Sequence, residues 1–397
     1  MKAPEWPPPL AMTARSDSLP PSPFTFSLPA ITFGTFFLPG PTEVRPEILA
    51  VMTRPMIAHR GKAFEEMFAR IEVGLRDVFL TARPAYVFTA SASGVMEGAV
   101  RNAPAGPLLS LVNGAFSARF AKIAKACARD VDVVEAPWGE VCDLGEVERQ
   151  LSSRAYAAVT VVHSETSTGA LSDIRAVTEL AHRFGALCLV DSVSGLGGAE
   201  LRFDEWGLDF VLTGSQKALA LPPGLAFGVA SQEFVKRART VSDRGLYFDV
   251  VEYEEFAAKN QTPATPALSL LYALEAQLAD ILREGIDRRW ERHIAMRDAT
   301  AAWLKRAITR VDLEIDILAA EGHRSPTVST IKLPEDLKSA DVVQAVARRG
   351  FTIGSGYGKL KDTTIRIGHM GDHTLETLRA CLAECEDALR DVGGRKW

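Results

Sequence analysis

The chain has 397 residues, a formal net charge of -5 at pH 7 and 47% hydrophobic residues, enough for one large and one smaller domain around substantial cores. That balance leaves no broad basic surface for nucleic acid, and no apolar run reaches the roughly 18 to 20 residues of a membrane span. Its five cysteines, Cys127, Cys142, Cys188, Cys381 and Cys385, are odd in number and scattered, which fits reduced thiols and a cytoplasmic location rather than a disulfide framework.

Residues 1–30 carry Pro7, Pro8, Pro9, Pro20, Pro21 and Pro23 among serines and threonines, without helical or strand period. They predict a disordered tail or an arm over a partner subunit. From about Arg83 to Ala230 short β-rich runs alternate with amphipathic segments, which requires crossover helices and a mainly parallel sheet. The predicted strands are Tyr86–Ala90, Leu108–Val112, Val131–Glu135, Ala157–His163, Ala186–Asp191, Phe210–Thr213 and Leu225–Ala230, with helices such as Phe116–Ala128 and Ile174–Phe184 between them. Beyond Pro266 long helical patterns run to about Arg310. A mixed segment follows, with strands near Thr327–Leu333 and Thr364–Ile367 and helices near Ala340–Arg349 and Thr374–Leu389. The expected organisation is a large α/β domain over 31–284 and a small α+β domain over 285–397.

In an open α/β sheet, ligands bind beyond the carboxyl ends of the strands, and four fragments there carry chemistry. Ser91-Ala92-Ser93-Gly94 joins a strand to a helix, where small residues let backbone N–H groups close on a phosphate; a plain capping turn explains it as well. Leu187-Cys188-Leu189-Val190-Asp191-Ser192 ends an apolar strand on Asp191, a carboxylate placed to hold a protonated pyridine nitrogen or simply to cap a turn. Thr213-Gly214-Ser215-Gln216-Lys217 follows a buried strand and precedes Ala218-Leu219-Ala220-Leu221. A lysine in such surroundings loses its proton and attacks an aldehyde as the free amine, whereas most lysines are solvated surface charges. In Thr364-Ile365-Arg366-Ile367-Gly368, Arg366 offers a planar fork for a substrate carboxylate or for a structural salt bridge.

Taken together, the strings SASGVMEGA, HSETSTGALSD, LVDSVSGLGG, TGSQKALALPPGLAFGV, TPATPALSLLYAL and IRIGHMGD resemble the successive motifs of class V aminotransferases, in the alanine-glyoxylate, serine-glyoxylate and serine-pyruvate branch. The resemblance runs from about Leu38 to the C-terminus. It implies the α/β architecture of the pyridoxal 5'-phosphate (PLP)-dependent transferase fold type I, with a large domain built on a mainly parallel seven-stranded sheet between helices, a small C-terminal α+β domain, and a homodimer with shared active sites. Lys217 takes the Schiff-base position and Asp191 the pyridine-nitrogen partner, and these two are the catalytic pair it implies. Ser91, Ala92, Ser93 and Gln216 match the phosphate site, with Ala92 replacing a common glycine. Phe116 falls where the family stacks an aromatic on the ring, Val193 where it packs against the ring and Thr166 where it places a hydroxyl beside it. Thr265 corresponds to a phosphate contact from the neighbouring subunit, and Arg366 to the clamp on the substrate carboxylate. The family's partner-subunit tyrosine near Thr265 has no counterpart.

The implied reaction is transamination between a small amino acid, serine or alanine favoured, and a 2-oxo acid, glyoxylate or pyruvate favoured. In it the donor displaces Lys217 from the cofactor, Arg366 fixes its carboxylate, and the released lysine acts as base. Aspartate or phosphoserine with 2-oxoglutarate is the alternative, attractive if Arg60 enters the pocket. A cysteine desulfurase needs a nucleophilic cysteine on the loop before Arg366, and residues 352–364 contain none. Ser194-Gly195-Leu196-Gly197-Gly198 lacks the last glycine of a dinucleotide fingerprint, Glu200 standing in its place. A PLP-fold binding or regulatory subunit is at odds with the intact lysine, aspartate and arginine. His369 and His373 are four apart but lack the glutamate of a zincin motif; they read as turn and helix-start residues, and no metal is expected. Gly354-Ser355-Gly356-Tyr357-Gly358 reads as a flexible loop near the substrate mouth.

Overall fold

The computed structural model describes residues 33–393, so the proline-rich stretch of residues 1–30 lies outside the described residues. In chain order the first elements are β1 (Phe36–Phe37), α1 (Pro46–Ala50), α2 (Lys62–Phe79), β2 (Ala85–Phe88), α3 (Ala92–Asn102), β3 (Leu108–Val112), α4 (Ala115–Ala126), β4 (Val131–Glu135), α5 (Leu144–Ser153) and β5 (Ala158–Val162). A small hairpin, β6 (Ser164–Glu165) and β7 (Ala170–Leu171), leads to α6 (Ile174–Arg183), β8 (Leu187–Asp191), β9 (Phe210–Gly214) and β10 (Ala226–Ala230). Then come α7 (Gln232–Ala238), α8 (Val250–Ala257), α9 (Leu268–Glu284), α10 (Ile286–Val311), β11 (Asp316–Ile317), β12 (Val328–Lys332), α11 (Ser339–Arg348), β13 (Thr352–Ser355), β14 (Thr364–Gly368) and α12 (Leu375–Val392).

The large sheet has the order β2-β10-β9-β8-β5-β3-β4. Only β10 runs antiparallel to its neighbours β2 and β9; the remaining pairs are parallel. Every residue of β2, β3, β5, β8, β9 and β10 is buried, as expected of strands covered on both faces. Alternation sorts them between two cores: Val159, Val161, Cys188, Val190 and Val211 pack on one face, and Ala158, Leu187, Leu189, Phe210 and Leu212 on the other, because successive side chains leave a strand on opposite sides. The covering helices start on identifiable caps. Asp173 accepts a hydrogen bond from Ala176 N–H at α6, and Asp143 one from Glu146 N–H at α5, each satisfying an orphan helical donor.

A second sheet, ordered β1-β13-β14-β12-β11, packs its own core of Phe37, Trp303, Ile331, Ile365, Leu378, Cys381 and Cys385, among others. Its one parallel pair joins Phe36–Phe37 to Thr352–Ile353. The first described strand therefore belongs to the sheet built by the end of the chain. No helix among the described residues is long and apolar enough to cross a membrane, and all five cysteines are free.

Candidate active site

The pairing of β8 with β9 sets Asp191 opposite Leu212, and the chain then turns through Ser215 to Lys217. Backbone bonds lock this turn. Gln216 C=O accepts from Thr42 N–H (2.9 Å), Lys217 C=O from Ala220 N–H (2.8 Å) and Leu221 N–H reaches Ser215 C=O (3.1 Å); Ala218 C=O accepts from Arg289 Nη2 at 2.8 Å. Ala220 takes a left-handed φ of 52°, an uncommon and costly conformation for a residue with a Cβ. Lys217 is only 7% exposed, and its Nζ donates to Pro39 C=O. Burial first, then the Arg366 charge, lowers its pKa to about 7, against the opposing pull of Asp191 and Glu165. The lysine is thus set to present a free amine near neutrality.

A cavity of about 360 Å³ opens over this amine. Asp191 lines it, and burial lifts the carboxyl to about 7 in spite of the hydrogen bond from Val193 N–H. That bond, 2.8 Å to Oδ1, is the only one the carboxylate accepts among the described residues. The other oxygen is left for a ligand donor. Val193 and Phe116 line the same cavity, and Lys217 Nζ lies 5.8 Å from the Phe116 ring centroid. Behind it His163 is neutral, burial lowering its pKa to about 4, and its Nδ1 pairs with Ser192 Oγ at 3.0 Å.

Phe116 owes its position to Glu165, a residue the strand pattern alone does not single out. This wholly buried carboxylate accepts from the N–H groups of Phe116 (3.1 Å), Ser117 (2.9 Å) and Ser167 (3.1 Å) and from the hydroxyls of Ser117 (3.0 Å) and Ser167 (2.6 Å). It caps α4 from the far side of the hairpin, where a negative charge also suits the helix N-terminus. An acid between hydroxyl residues directly after an apolar strand, His163-Ser164-Glu165-Thr166-Ser167, was the signal available.

At the other end of the cavity Ser91 is the N-cap of α3 and makes no side-chain cap bond, and Ser93 and Gln216 face the same space. The first N–H groups of a helix lack internal partners, so Ala92 and Ser93 offer donors to an anion here. Ala92 is at the first helical position rather than at a positive φ; the exchange for glycine therefore costs no backbone freedom.

Arg366, on β14, donates from Nε to Ser355 C=O (2.8 Å) and from Nη1 to Thr166 C=O (3.3 Å). No carboxylate pairs with it among the described residues. Burial lowers its pKa to about 10, which leaves it charged at neutral pH. Thr166 lines the cavity, its hydroxyl bonded to that of Ser194. Ser91, Ala92, Ser93, Phe116, Thr166, Asp191, Val193, Gln216 and Lys217 are thus gathered around one space, with Arg366 tied to it through Thr166. Thr265 is not: it is exposed and does not line this cavity.

Arg60 does not enter the cavity either. Its guanidinium donates to Gln261 Oε1 and to the carbonyls of Thr262 and Pro263, fixing the loop that carries Thr265. His369 is buried between Ser329 Oγ (2.9 Å) and Pro326 C=O (3.0 Å), and His373 donates from Nε2 to Phe36 C=O (3.0 Å) while stacking on Phe37. Both serve packing. The Gly354–Gly358 segment departs from its reading as a flexible loop: Gly354 and Ser355 pair with Arg366 and Ile365, and a Cβ on Gly356 would lie 1.9 Å from Leu360 C=O. Its glycines permit close approach, not mobility.

These residues fit PLP. Asp191, a buried carboxylate with one oxygen unbonded among the described residues, suits a protonated ring nitrogen; the orphan donors of α3 suit a phosphate, Lys217 with its lowered pKa suits an aldehyde, and Phe116 and Val193 supply apolar walls. The fold and this cavity define a fold-type-I PLP-dependent enzyme. The chain belongs to the class-V aminotransferase family, whose family model matches residues 48–383. It is 35% identical over 362 residues to an uncharacterized aminotransferase of Methanocaldococcus jannaschii, covering 90% of this chain and 92% of that one. It is also 33% identical over 371 residues to the L-aspartate–glyoxylate aminotransferase of Paracoccus denitrificans, covering 90% and 91%. Among solved structures, the alanine–glyoxylate aminotransferase of a Nostoc species superposes with a TM-score of 0.83 at 27% identity, over 92% of this chain and 97% of that one.

Proposed function

We propose that the chain transfers the amino group of a small amino acid, serine or alanine favoured, to a small 2-oxo acid, glyoxylate or pyruvate favoured. The observation that carries this reading is the shared cavity of Lys217, Asp191 and Phe116 beside an Arg366 that pairs with no carboxylate among the described residues. Support for the substrates comes from relatives that act on glyoxylate. Bound in the cavity, PLP supplies an aldehyde that takes up the amino group and a ring that stores the electron pair freed when Cα–H breaks. Arg366 grips the substrate carboxylate through paired N–H donors and orients Cα toward Lys217. The Lys217 amine takes the Cα proton and returns it to the neighbouring carbon. Asp191 would hold a protonated ring nitrogen by charge and hydrogen bond, and Phe116 and Val193 would pack against the ring.

The working unit in this proposal is a cytoplasmic homodimer in which Thr265 completes the neighbouring phosphate site. Free cysteines and the exposed Thr265 support it. The domain division at 284/285 is part of the same proposal; Gly285, at φ 85°, breaks α9 from α10, and Phe36–Phe37 is then lent by the large domain to the small sheet. Screening the holoenzyme against donor and acceptor panels tests the function: turnover of alanine or serine with glyoxylate or pyruvate is expected, and Lys217→Ala should abolish it. An active Lys217→Ala enzyme would refute the assignment.

A further inference from the structure

One side chain on the cavity wall has no part in the function just described. Arg119 stands one turn after Phe116 on α4, the helix that Glu165 caps. It lines the cavity, with its Cζ 5.1 Å from the Phe116 ring centroid. Its one hydrogen bond among the described residues runs from Nη2 to the Tyr357 hydroxyl, 2.8 Å. No carboxylate among them pairs with it. A guanidinium carries five N–H donors, so most of those of Arg119 remain for whatever enters the cavity.

Tyr357 links this arginine to the other one. Its ring stacks on Phe116 with centroids 5.2 Å apart, and Arg366 Cζ lies 5.5 Å from the same ring. Two guanidinium forks therefore flank one aromatic side chain, both half-buried and neither in direct contact with a carboxylate among the described residues; Asp191 acts on Arg119, and Glu165 on Arg366, only through space. Partly desolvated charges of one sign are costly unless a ligand brings the opposite charge. Arg366 answers to the α-carboxylate, which leaves Arg119 for a second anion. Arg60, the other candidate for that role, has committed its donors to Gln261, Thr262 and Pro263.

We propose that Arg119 forms a second anion subsite, so that the enzyme accepts amino and 2-oxo acids carrying a carboxylate on the side chain, four-carbon diacids such as aspartate above all. The inference rests on the transamination reading but departs from its favoured donor, setting aspartate, the donor in the name of the Paracoccus relative, ahead of serine and alanine. Its geometry favours a carboxylate: planar guanidinium matches planar carboxylate through two parallel bonds. Arg119 here is a specificity residue; the bonds made and broken remain those handled by Lys217.

The test compares kcat/KM for L-aspartate and L-alanine, with glyoxylate as acceptor, in the wild-type holoenzyme and in Arg119→Met, Arg119→Lys and Tyr357→Phe. Wild-type turnover of aspartate is expected. Arg119→Met should lower the aspartate-to-alanine ratio by roughly tenfold or more, the scale of a lost charge-assisted bond, chiefly through KM for aspartate. Arg119→Lys keeps charge without the fork and should fall between, which preserves the test if the methionine variant does not fold. Tyr357→Phe removes the same hydrogen bond but keeps the charge, and should leave the ratio near the wild-type value. An unchanged ratio in Arg119→Met, or an equal fall in Arg119→Met and Tyr357→Phe, would overturn the subsite and leave Arg119 as a support for Tyr357. So would a wild-type enzyme that uses alanine but not aspartate, or one that prefers O-phospho-L-serine to aspartate. A wild-type enzyme idle toward every donor would refute the transamination reading itself, and the subsite with it.

Discussion

Burial lowers Lys217 and raises Asp191 to about the same pH, near 7, and the two have opposite consequences for the cofactor-free protein. Only the unprotonated lysine attacks an aldehyde, so below about pH 7 the free-amine fraction, and with it the rate of PLP uptake, should rise roughly tenfold per pH unit and level off above. Following the growth of cofactor absorbance after mixing, from pH 5.5 to 9, checks this; a rate that fell with rising pH would contradict the buried-amine picture. Glu165 admits a second prediction. Glu165→Gln replaces one of two accepting oxygens by a donor facing N–H and O–H groups, which should cost about 1–3 kcal/mol, read as a lower denaturation midpoint. Asp191 and Lys217 stood out as candidates because Asp191 ends an apolar strand run and Lys217 lies just past the end of another. Glu165 and Arg119 were not, since what they do depends on α4 meeting a hairpin that follows it two strands later.

All seven predicted runs are strands, and for six of them the reason is simple: strands buried on both faces must be near-continuous apolar runs, whereas β4, at the sheet edge, carries Asp132 and Glu135 and is only partly buried. What escaped was short or glycine-bearing. β1 and β11 have two residues each, and β13 reads Thr-Ile-Gly-Ser, too little apolar surface for a period to register. Yet the loop after β1 reaches the reaction centre. Gly40, at φ 118°, sits so close that an added Cβ would come 2.4 Å from Lys217 Cε and Nζ. Gly40→Ala combines backbone strain with pressure on the reactive amine. The expected outcome is weakened cofactor uptake, measured by titrating the cofactor-free protein with PLP, while retention of wild-type affinity would show that Lys217 has room to move aside.

Across the whole molecule, a charge network ties α9 and α10 to the segments before α1 and after β14. Asp372 accepts from Arg45 Nε (2.7 Å), Arg289 Nη2 (2.9 Å) and Gln277 Nε2 (3.0 Å), and Arg289 is 2% exposed. Burial raises the Asp372 pKa, but Arg289 and Arg45 together outweigh it and hold the carboxyl below its ordinary 3.8. A depressed carboxyl contributes stability at pH above 3.8 that is lost as pH falls through its lowered folded value. Asp372→Asn should therefore destabilise the protein at neutral pH by up to about 3–5 kcal/mol, the cost of stranding a buried charge, and flatten its acid-unfolding profile; denaturant midpoints from pH 2 to 7 measure both. No local pattern foretells this network, because its members come from α9, α10 and both ends of the chain. The same is true of Phe36 pairing with Thr352, and that pairing bears on how the protein is made. During synthesis Phe36–Phe37 leaves the ribosome well before Thr352–Ile353 and must wait for that partner. Pro39 and Gly40, just behind it, cannot settle on Lys217 until then. The nascent large sheet should thus pass through a stage in which the Lys217 amine is open to any passing aldehyde, and is enclosed only once Thr352–Ile353 has been made.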